Sequence, residues 1–358
     1  MRNSGHDHST LGSTVPQDSR LAQVPDGTQR PLWSVMIPTY NCAHYLRETL
    51  ASVLAQDPGP DTMQIEVVDD CSTSDDPKAV VQELGAGRVG FFRQPKNRGH
   101  SGNFLTCLQR SRGHLVHLLH GDDFVRDGFY QRMEAGFVAA PEAGAAFCRH
   151  GYMNEAGEVF LLSDIERAES GLLKNWLERI AVRQLIQTPS IVVRREIYEV
   201  LGTFNSQLAW VEDWEMWVRI AAHYPVWYEV EPLAVYRMHG TSNTSRHIRS
   251  GENLRDVRRA VEVIGTLLPP ETAAAIRRQS LYFWADDALR NRVPGFLAHG
   301  DLRTSLVQIR EALLCSSSPE IVSLALRLLP VVAKVAMGKQ GMRRARDGSA
   351  CRPPLSRL

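Results

Sequence analysis

Two adjacent carboxylates, Asp122 and Asp123, end the segment His120-Gly121-Asp122-Asp123, which follows the apolar run Leu115-Val116-His117-Leu118-Leu119. Side-by-side carboxylates repel, and the pair makes sense if a divalent cation sits between them and a phosphate. Gly-Asp-Asp is also good turn chemistry, so a solvated turn stays open on this motif alone. Three more polar clusters follow short apolar runs: Pro38-Thr39-Tyr40-Asn41, Asp69-Asp70-Cys71-Ser72, and Asn97-Arg98-Gly99-His100-Ser101-Gly102-Asn103. Gly99 and Gly102, placed ahead of a helix, leave backbone N–H groups free to meet a phosphate, although a tight turn would use them too. Asp70 with Ser72 suits a helix cap as well as a ligand contact. The glycine spacing is neither G-x-G-x-x-G nor a Walker loop, which weakens dinucleotide and P-loop readings. Farther along, Glu212-Asp213 opens a helix, where acids suit the helix dipole or serve as a catalytic pair. Arg237-Met238-His239-Gly240 adds a lone histidine, a residue more often structural than ligating.

The elements that must position these groups are legible in the periodicity. Trp33–Ile37 forms a strand, and Leu46, Leu50, Val53 and Leu54 predict a helix ended by Asp57-Pro58-Gly59-Pro60. Met63–Val68 is the next strand, followed by a helix over about Asp76 to Leu84. Val89–Phe92 is a third strand, then a helix carrying Phe104, Leu105 and Leu108, then the strand that ends at His120. Strands alternating with helices predict βαβ crossovers and a mostly parallel sheet. In such sheets ligands bind beyond the carboxyl ends of the strands, where every polar cluster of this half falls. The fold class expected is therefore α/β, a Rossmann-like parallel sheet flanked by helices.

From Ala143 to about Leu162 two shorter strands, Ala145–Cys148 and Val159–Leu162, predict an antiparallel extension, with Asn154-Glu155-Ala156-Gly157 as the turn. A helical piece follows near Leu172 to Ile180, then Thr188-Pro189-Ser190 and the apolar Ile191–Val193. Trp214, Trp217, Val218 and Ala221 predict an amphipathic helix with both tryptophans in the core. Short strands are expected at Val226–Val230 and Leu233–Tyr236, and helices from Asn253 to about Met337.

The chain has 358 residues, 43% of them hydrophobic, enough for one large or two modest domains. Lys+Arg number 41 against 40 Asp+Glu, so nothing global points to nucleic acid. Six cysteines are scattered without a C-x-x-C pair, which suits a reducing cytosol and argues against a zinc site. Met1 to about Arg30 lacks an apolar core and reads as a disordered leader. No run of ~20 apolar residues predicts a transmembrane helix. Ile321 to Met337 is nearly all apolar except Ser323, Arg327 and Lys334, and Lys339, Arg343, Arg344 and Arg346 follow it. This pattern suits either an interfacial helix with a basic patch for anionic lipids or a helix packed on its own domain, and Pro330 counts against a long straight insertion.

Taken together, the residues from about Trp33 to His239 resemble the family 2 glycosyltransferases, which have the GT-A fold. Ser34–Asn41 is similar to that family's first strand and nucleotide loop, Val67–Ser72 to its second strand, and Asn97-Arg98-Gly99 with Gly102-Asn103 to its glycine loop. His120-Gly121-Asp122-Asp123 falls where the family carries its D-x-D metal motif, Glu212-Asp213-Trp214 resembles the E-D motif, and His239 falls where many members place a histidine. The resemblance implies nucleotide binding by Pro38, Thr39, Tyr40, Asp70, Gly99, Asn103 and Asp122. It implies a Mg²⁺ or Mn²⁺ held by Asp122, Asp123 and His239, and Asp213 as the general base of an inverting transferase. His120 replaces the leading Asp of D-x-D, and no Q-x-x-R-W follows the E-D motif, so a non-processive transferase is expected. The implied partners are a nucleotide-sugar donor, UDP-linked first of all, and a glycan or lipid-linked acceptor in cell-surface glycan biosynthesis. The implied place is the cytoplasm, with peripheral attachment to the inner face of the plasma membrane. The expected domains are a leader (1–30), a catalytic domain (31–245), a helical extension (246–337) and a basic tail (338–358). Rival classes are a nucleotide-sugar-binding protein without catalysis and a sugar-phosphate nucleotidyltransferase. The latter would open with a glycine-rich loop where this chain has Pro38-Thr39-Tyr40-Asn41.

Overall fold

The computed structural model describes residues 21–240 and 242–345, with side chains described as far as Met337. Residues 1–20 of the expected leader and 346–358 of the expected tail lie outside the described residues. Contacts divide the described chain into two units. The first runs to Ile180 and resumes at Gln184–His239; the second holds Ala181–Arg183 and everything from Gly240 on.

In the first unit, β1 (Trp33–Thr39), β2 (Met63–Asp69) and β4 (Leu115–Leu118) are buried along their whole length. Strands covered on both faces must read as near-continuous apolar runs, which is how they were visible in the sequence. Where polar residues interrupt them, partners are supplied inside. Ser34 Oγ donates to Gln64 Oε1 at 2.6 Å, and Gln64 Nε2 donates to Glu66 Oε2 at 3.1 Å. The crossovers are α1 (Ala43–Leu54), α2 (Pro77–Gly85) and α3 (Gly99–Arg110), with β3 (Gly90–Arg93) at the sheet's edge. Leu46, Leu50 and Val53 of α1 are fully buried on the sheet, each side chain contributing about 1.5–3 kcal/mol by leaving water. Asp76 caps α2 by accepting from Lys78 N, and Pro77 fits the first helical position.

The remaining elements of this unit are β5 (Phe124–Val125), α4 (Phe129–Ala139), β6 (Ala145–Met153), β7 (Val159–Leu162), β8 (Gly171–Leu172), α5 (Trp176–Ile180), β9 (Ile191–Arg194), α6 (Arg195–Leu201), α7 (Glu212–His223) and β10 (Val226–Arg237). The sheet has ten strands in the order β3-β2-β1-β4-β9-β6-β10-β5, with β7 on β6 and β8 on β10. β1 pairs in parallel with both β2 and β4, so the strand order reverses at β1 and opens a crevice beyond its carboxyl end.

Four expectations need correction. β6 pairs antiparallel with β7 as expected, but it runs for nine residues and lies inside the sheet, antiparallel to β9 and parallel to β10. The two short strands expected around Pro232 are one twelve-residue strand, because register shifts on either side of Pro232 bulge β10 without breaking it. The helix α7 is buried at nine consecutive positions from Glu212 to Ile220, so it is not amphipathic in the surface sense. Its polar members are paired internally: Arg219 bonds Glu215 at 2.7 Å and donates to the Leu201 and Thr203 carbonyls. Finally, the described end of the leader is packed. Leu21 is buried, Arg30 donates to the Arg112 and Gly113 carbonyls, and Arg195 donates to the Ala22 carbonyl.

The second unit is helical: α8 (Asn243–Ser250), α9 (Glu252–Gly265), α10 (Pro270–Asp287), α11 (Val293–Ala298), α12 (Leu302–Cys315) and α13 (Pro319–Ala345). Leu254, Val257, Ala260, Val261, Leu289, Val293 and Ala312 form its buried interior. The buried Glu311 carboxylate is answered by Arg258 at 2.7 Å and Arg255 at 3.2 Å. The helix α13 continues through Pro330 and takes in the first eight residues of the expected tail, 338–345. Among the described residues no helix is long and apolar enough to cross a membrane.

Candidate active site

The floor of the crevice is set by close packing of two loops. Gly121 N donates to the Pro38 carbonyl at 3.0 Å, and Asp70 N donates to the Thr39 carbonyl at 2.8 Å. A Cβ at Gly121 would lie 2.3 Å from Thr39 Oγ1, so only glycine lets the chain after β4 approach the chain after β1 this closely. The next two residues differ in exposure: Asp122 is half-buried and Asp123 is buried.

Here His120, Asp122 and Asp123 gather, with one potential ligand atom from each lying within 4.8 Å of the others. His120 Nδ1 is 3.1 Å from Asp123 Oδ2, and the other Asp123 oxygen accepts the Arg237 backbone N–H at 2.8 Å. His239 Nε2 is 2.9 Å from Asp122 Oδ2. Burial raises the Asp123 carboxyl and the Asp122 charge adds to it, to about 6. Burial pushes Asp122 the same way, but its bond to His239 and the nearby His120 hold it below the ordinary carboxylate value. For His120 burial opposes the proton, yet the Asp123 contact and the surrounding carboxylates raise its pKa. His120 Nε2 is buried with no hydrogen-bond partner in the structure. A histidine nitrogen together with two carboxylates is a donor set that fits a divalent cation. His239, expected among the ligands, lies against Asp122 at 2.9 Å, and His120 gathers with Asp122 and Asp123.

On the other side of the crevice, Asp70 Oδ1 accepts the Arg98 N–H at 2.7 Å, and Asn97 donates to the Asp70 carbonyl. Its carboxyl is raised, chiefly by burial. Gly99 adopts φ +73, a conformation that favours glycine, and starts α3; its N–H, expected to be free, donates to Asn97 Oδ1 at 3.0 Å. Tyr40 is 47% exposed at the mouth, whereas Thr39 is buried against Gly121 with its hydroxyl unpartnered. Pro38 lies buried in β1. Asn103 faces inward: its Nδ2 donates to the Val68 carbonyl at 2.8 Å and Gln94 donates to its Oδ1. It ties β2 to α3 and does not line the crevice.

The first turn of α7 brings Glu212 and Asp213 to the same region. Burial, then the Glu212 charge, push the Asp213 carboxyl up to about 7, and nearby His120 acts to lower it. Thr188 Oγ1 donates to Asp213 Oδ2 at 3.2 Å, Gln184 Nε2 to the same oxygen at 2.6 Å, and Trp214 N to Oδ1 at 2.7 Å. Glu212 pairs with His100 at the start of α3. Burial opposes the His100 proton, but Glu212 outweighs it and raises the pKa. The sequence pointed to Asp213 and His239 but missed Gln184, Arg237 and the His100–Glu212 pair. Gln184 lies in a loop without periodicity; Arg237 carried no signal because its contribution to Asp123 is a main-chain N–H.

With this geometry in place, comparison with known proteins adds a family. Residues 34–202 match the family model described as Glycosyl transferase family 2. An uncharacterized protein of Mycobacterium tuberculosis is 26% identical over 281 residues, 75% of this chain and 86% of that protein. Among solved structures, Staphylococcus aureus TarS 1-349 in complex with UDP-GlcNAc matches at TM-score 0.57 and 16% identity, covering 85% of this chain and 87% of that one. The mannosyltransferase PcManGT of Pyrobaculum calidifontis, in complex with GDP-Man and Mn²⁺, matches at TM-score 0.54 and 20% identity, covering 88% and 84%. Against the longer TarS chain, this one spans 52% of the length. These structures share the GT-A fold with the first unit.

Proposed function

On a chain whose residues 34–202 form a glycosyl transferase family 2 domain, we propose that the first unit transfers a single sugar from a nucleotide-sugar donor to an acceptor hydroxyl with inversion. The nucleotide lies across the strand ends, its base near Pro38, Tyr40 and Asp70 and its diphosphate near the start of α3 at Gly99. Asp213 takes the proton from the acceptor hydroxyl as that oxygen bonds to the anomeric carbon from the opposite face. The bond from the anomeric carbon to the diphosphate breaks, and the leaving nucleoside diphosphate keeps the electron pair. A divalent cation held by His120, Asp122 and Asp123 would supply charge neutralisation at the departing diphosphate. His239 orients Asp122, and the main-chain N–H of Arg237 orients Asp123.

The observation that carries this reading is the gathering of His120, Asp122 and Asp123 beyond β4, with Glu212, the neighbour of Asp213, paired to His100 at the start of α3. A base poised near neutrality beside a candidate metal cluster is the pairing that sugar transfer needs. The related structures, one in complex with UDP-GlcNAc and the other with GDP-Man and Mn²⁺, support a nucleotide sugar as donor and Mn²⁺ as metal. We assign a UDP-sugar first, an acceptor in cell-surface glycan synthesis, and a cytoplasmic location in keeping with the scattered cysteines. The test is a donor screen: purified chain, Mn²⁺ and a panel of nucleotide sugars, reading nucleotide release with and without glycan acceptors. Acceptor-dependent release from one donor is expected. Donor binding without product would reduce the unit to a binding module, and no binding of any donor would remove the proposal.

A further inference from the structure

The second unit carries a feature that sugar transfer does not use. Along α13, Leu326, Leu329, Pro330, Ala333 and Met337 follow one another at helical spacing and all are exposed, Leu326 by 58% and Met337 by 66%. The opposite side of the same helix is anchored in the unit's own interior by Ile321 and Ala325. Arg327 and Lys334, seven residues apart and both exposed, run along one border of the apolar stripe. Residues 321–358 hold eight of the chain's 41 basic residues and one of its 40 acidic ones, Asp347. The chain's charge is therefore segregated: this end is cationic and the remainder is net acidic.

We propose that α13 docks the protein on an anionic lipid surface, its stripe entering the headgroup boundary and its basic side and tail meeting lipid phosphates. The stripe is too short and too one-sided for a helix that spans, and it combines the two features an interfacial helix needs, an apolar face and adjacent cations. The net acidic remainder of the chain would be repelled by such a surface, which sets the orientation. A second copy of this chain fits the face less well, because pairing two such faces brings two cationic ends together. The inference does not depend on the transferase reading.

The test is co-sedimentation of the full chain with vesicles of phosphatidylcholine alone and of phosphatidylcholine with phosphatidylglycerol, at low and high salt. Binding is expected only with phosphatidylglycerol and should weaken with salt. The double variant Leu326→Glu with Met337→Glu should lower the partition coefficient by about tenfold or more, and Arg343→Glu with Arg344→Glu should do the same on anionic vesicles. Circular dichroism and nucleotide-sugar binding, read on the same samples, should stay unchanged in all variants. A wild-type chain that stays in solution with anionic vesicles would overturn the proposal, as would binding indifferent to both pairs of substitutions. Loss of a dimer in the Leu326→Glu variant by analytical ultracentrifugation would assign the face to a second copy instead.

Discussion

Gln184 Nε2 donates to Asp213 Oδ2 at 2.6 Å, so the candidate base is held by a loop residue 29 positions away as well as by its own helix. Thr188 reaches the same oxygen, which leaves the carboxylate little freedom to turn from the crevice.

Replacing Gln184 by Leu should therefore lower turnover by about tenfold through misplacement of the base, while donor affinity stays within about twofold. Separate measurement of kcat and of donor Kd checks this. A variant that loses donor binding in proportion would show that Gln184 serves the nucleotide and not Asp213.

Asp213 is a base only when ionised, and burial with the Glu212 charge lifts its pKa to about 7. A raised carboxyl holds its proton to higher pH, so the rate should climb as pH rises through about 7 and level off above. Asp213→Asn should cost about 10²–10⁴-fold in turnover with donor binding retained. Thr188→Val removes a bond that favours the ionised form, so the same limb should move to higher pH. Full turnover in Asp213→Asn would end the assignment.

His120, a nitrogen donor among the three residues, separates this cluster from an all-carboxylate one. His120→Ala and Asp123→Ala should each weaken Mn²⁺ binding, read directly by the paramagnetic resonance of free Mn²⁺ without any turnover. His239→Ala, which frees Asp122 to turn, should weaken it by about 10–100-fold, the usual range for a residue behind a ligand. Unchanged Mn²⁺ affinity in all three would move the metal elsewhere.

Gly121→Ala should destabilise the first unit by about 1–3 kcal/mol, since its Cβ would meet Thr39 Oγ1 at 2.3 Å with Cys42 Sγ also close. The double variant with Thr39→Ala should recover most of the loss, because the hydroxyl it removes is the nearest obstacle. Urea denaturation of the three proteins measures both steps; no recovery would mean that the strain lies in the backbone.

The parallel half of the sheet was legible because its strands are short, largely apolar and punctuated by turn residues, signals contained within a few neighbouring positions. The same locality placed Pro38–Asn41, Asp70, Gly99 and Asp122-Asp123 at strand ends. The other half resisted for a physical reason: Pro232 resembles a strand break until β6 is seen pairing with β10 on both sides of the bulge. Nor could the pattern 212–220 show that a helix with a polar face would be buried all round, because the answer to Arg219 lies in the Leu201 and Thr203 carbonyls.

By itself, the amino-acid order determined the alternation of strands and helices and the end of the sheet at which polar residues collect. Only the tertiary structure decided what each of them touches. Asp123 is held by a main-chain N–H from position 237, Asp213 by a side chain from 184, Glu212 by His100, and Asn103 turns inward. Local periodicity follows from backbone geometry over a few residues, whereas these partnerships join positions from 29 to 114 apart in the chain and exist only once the sheet has been assembled.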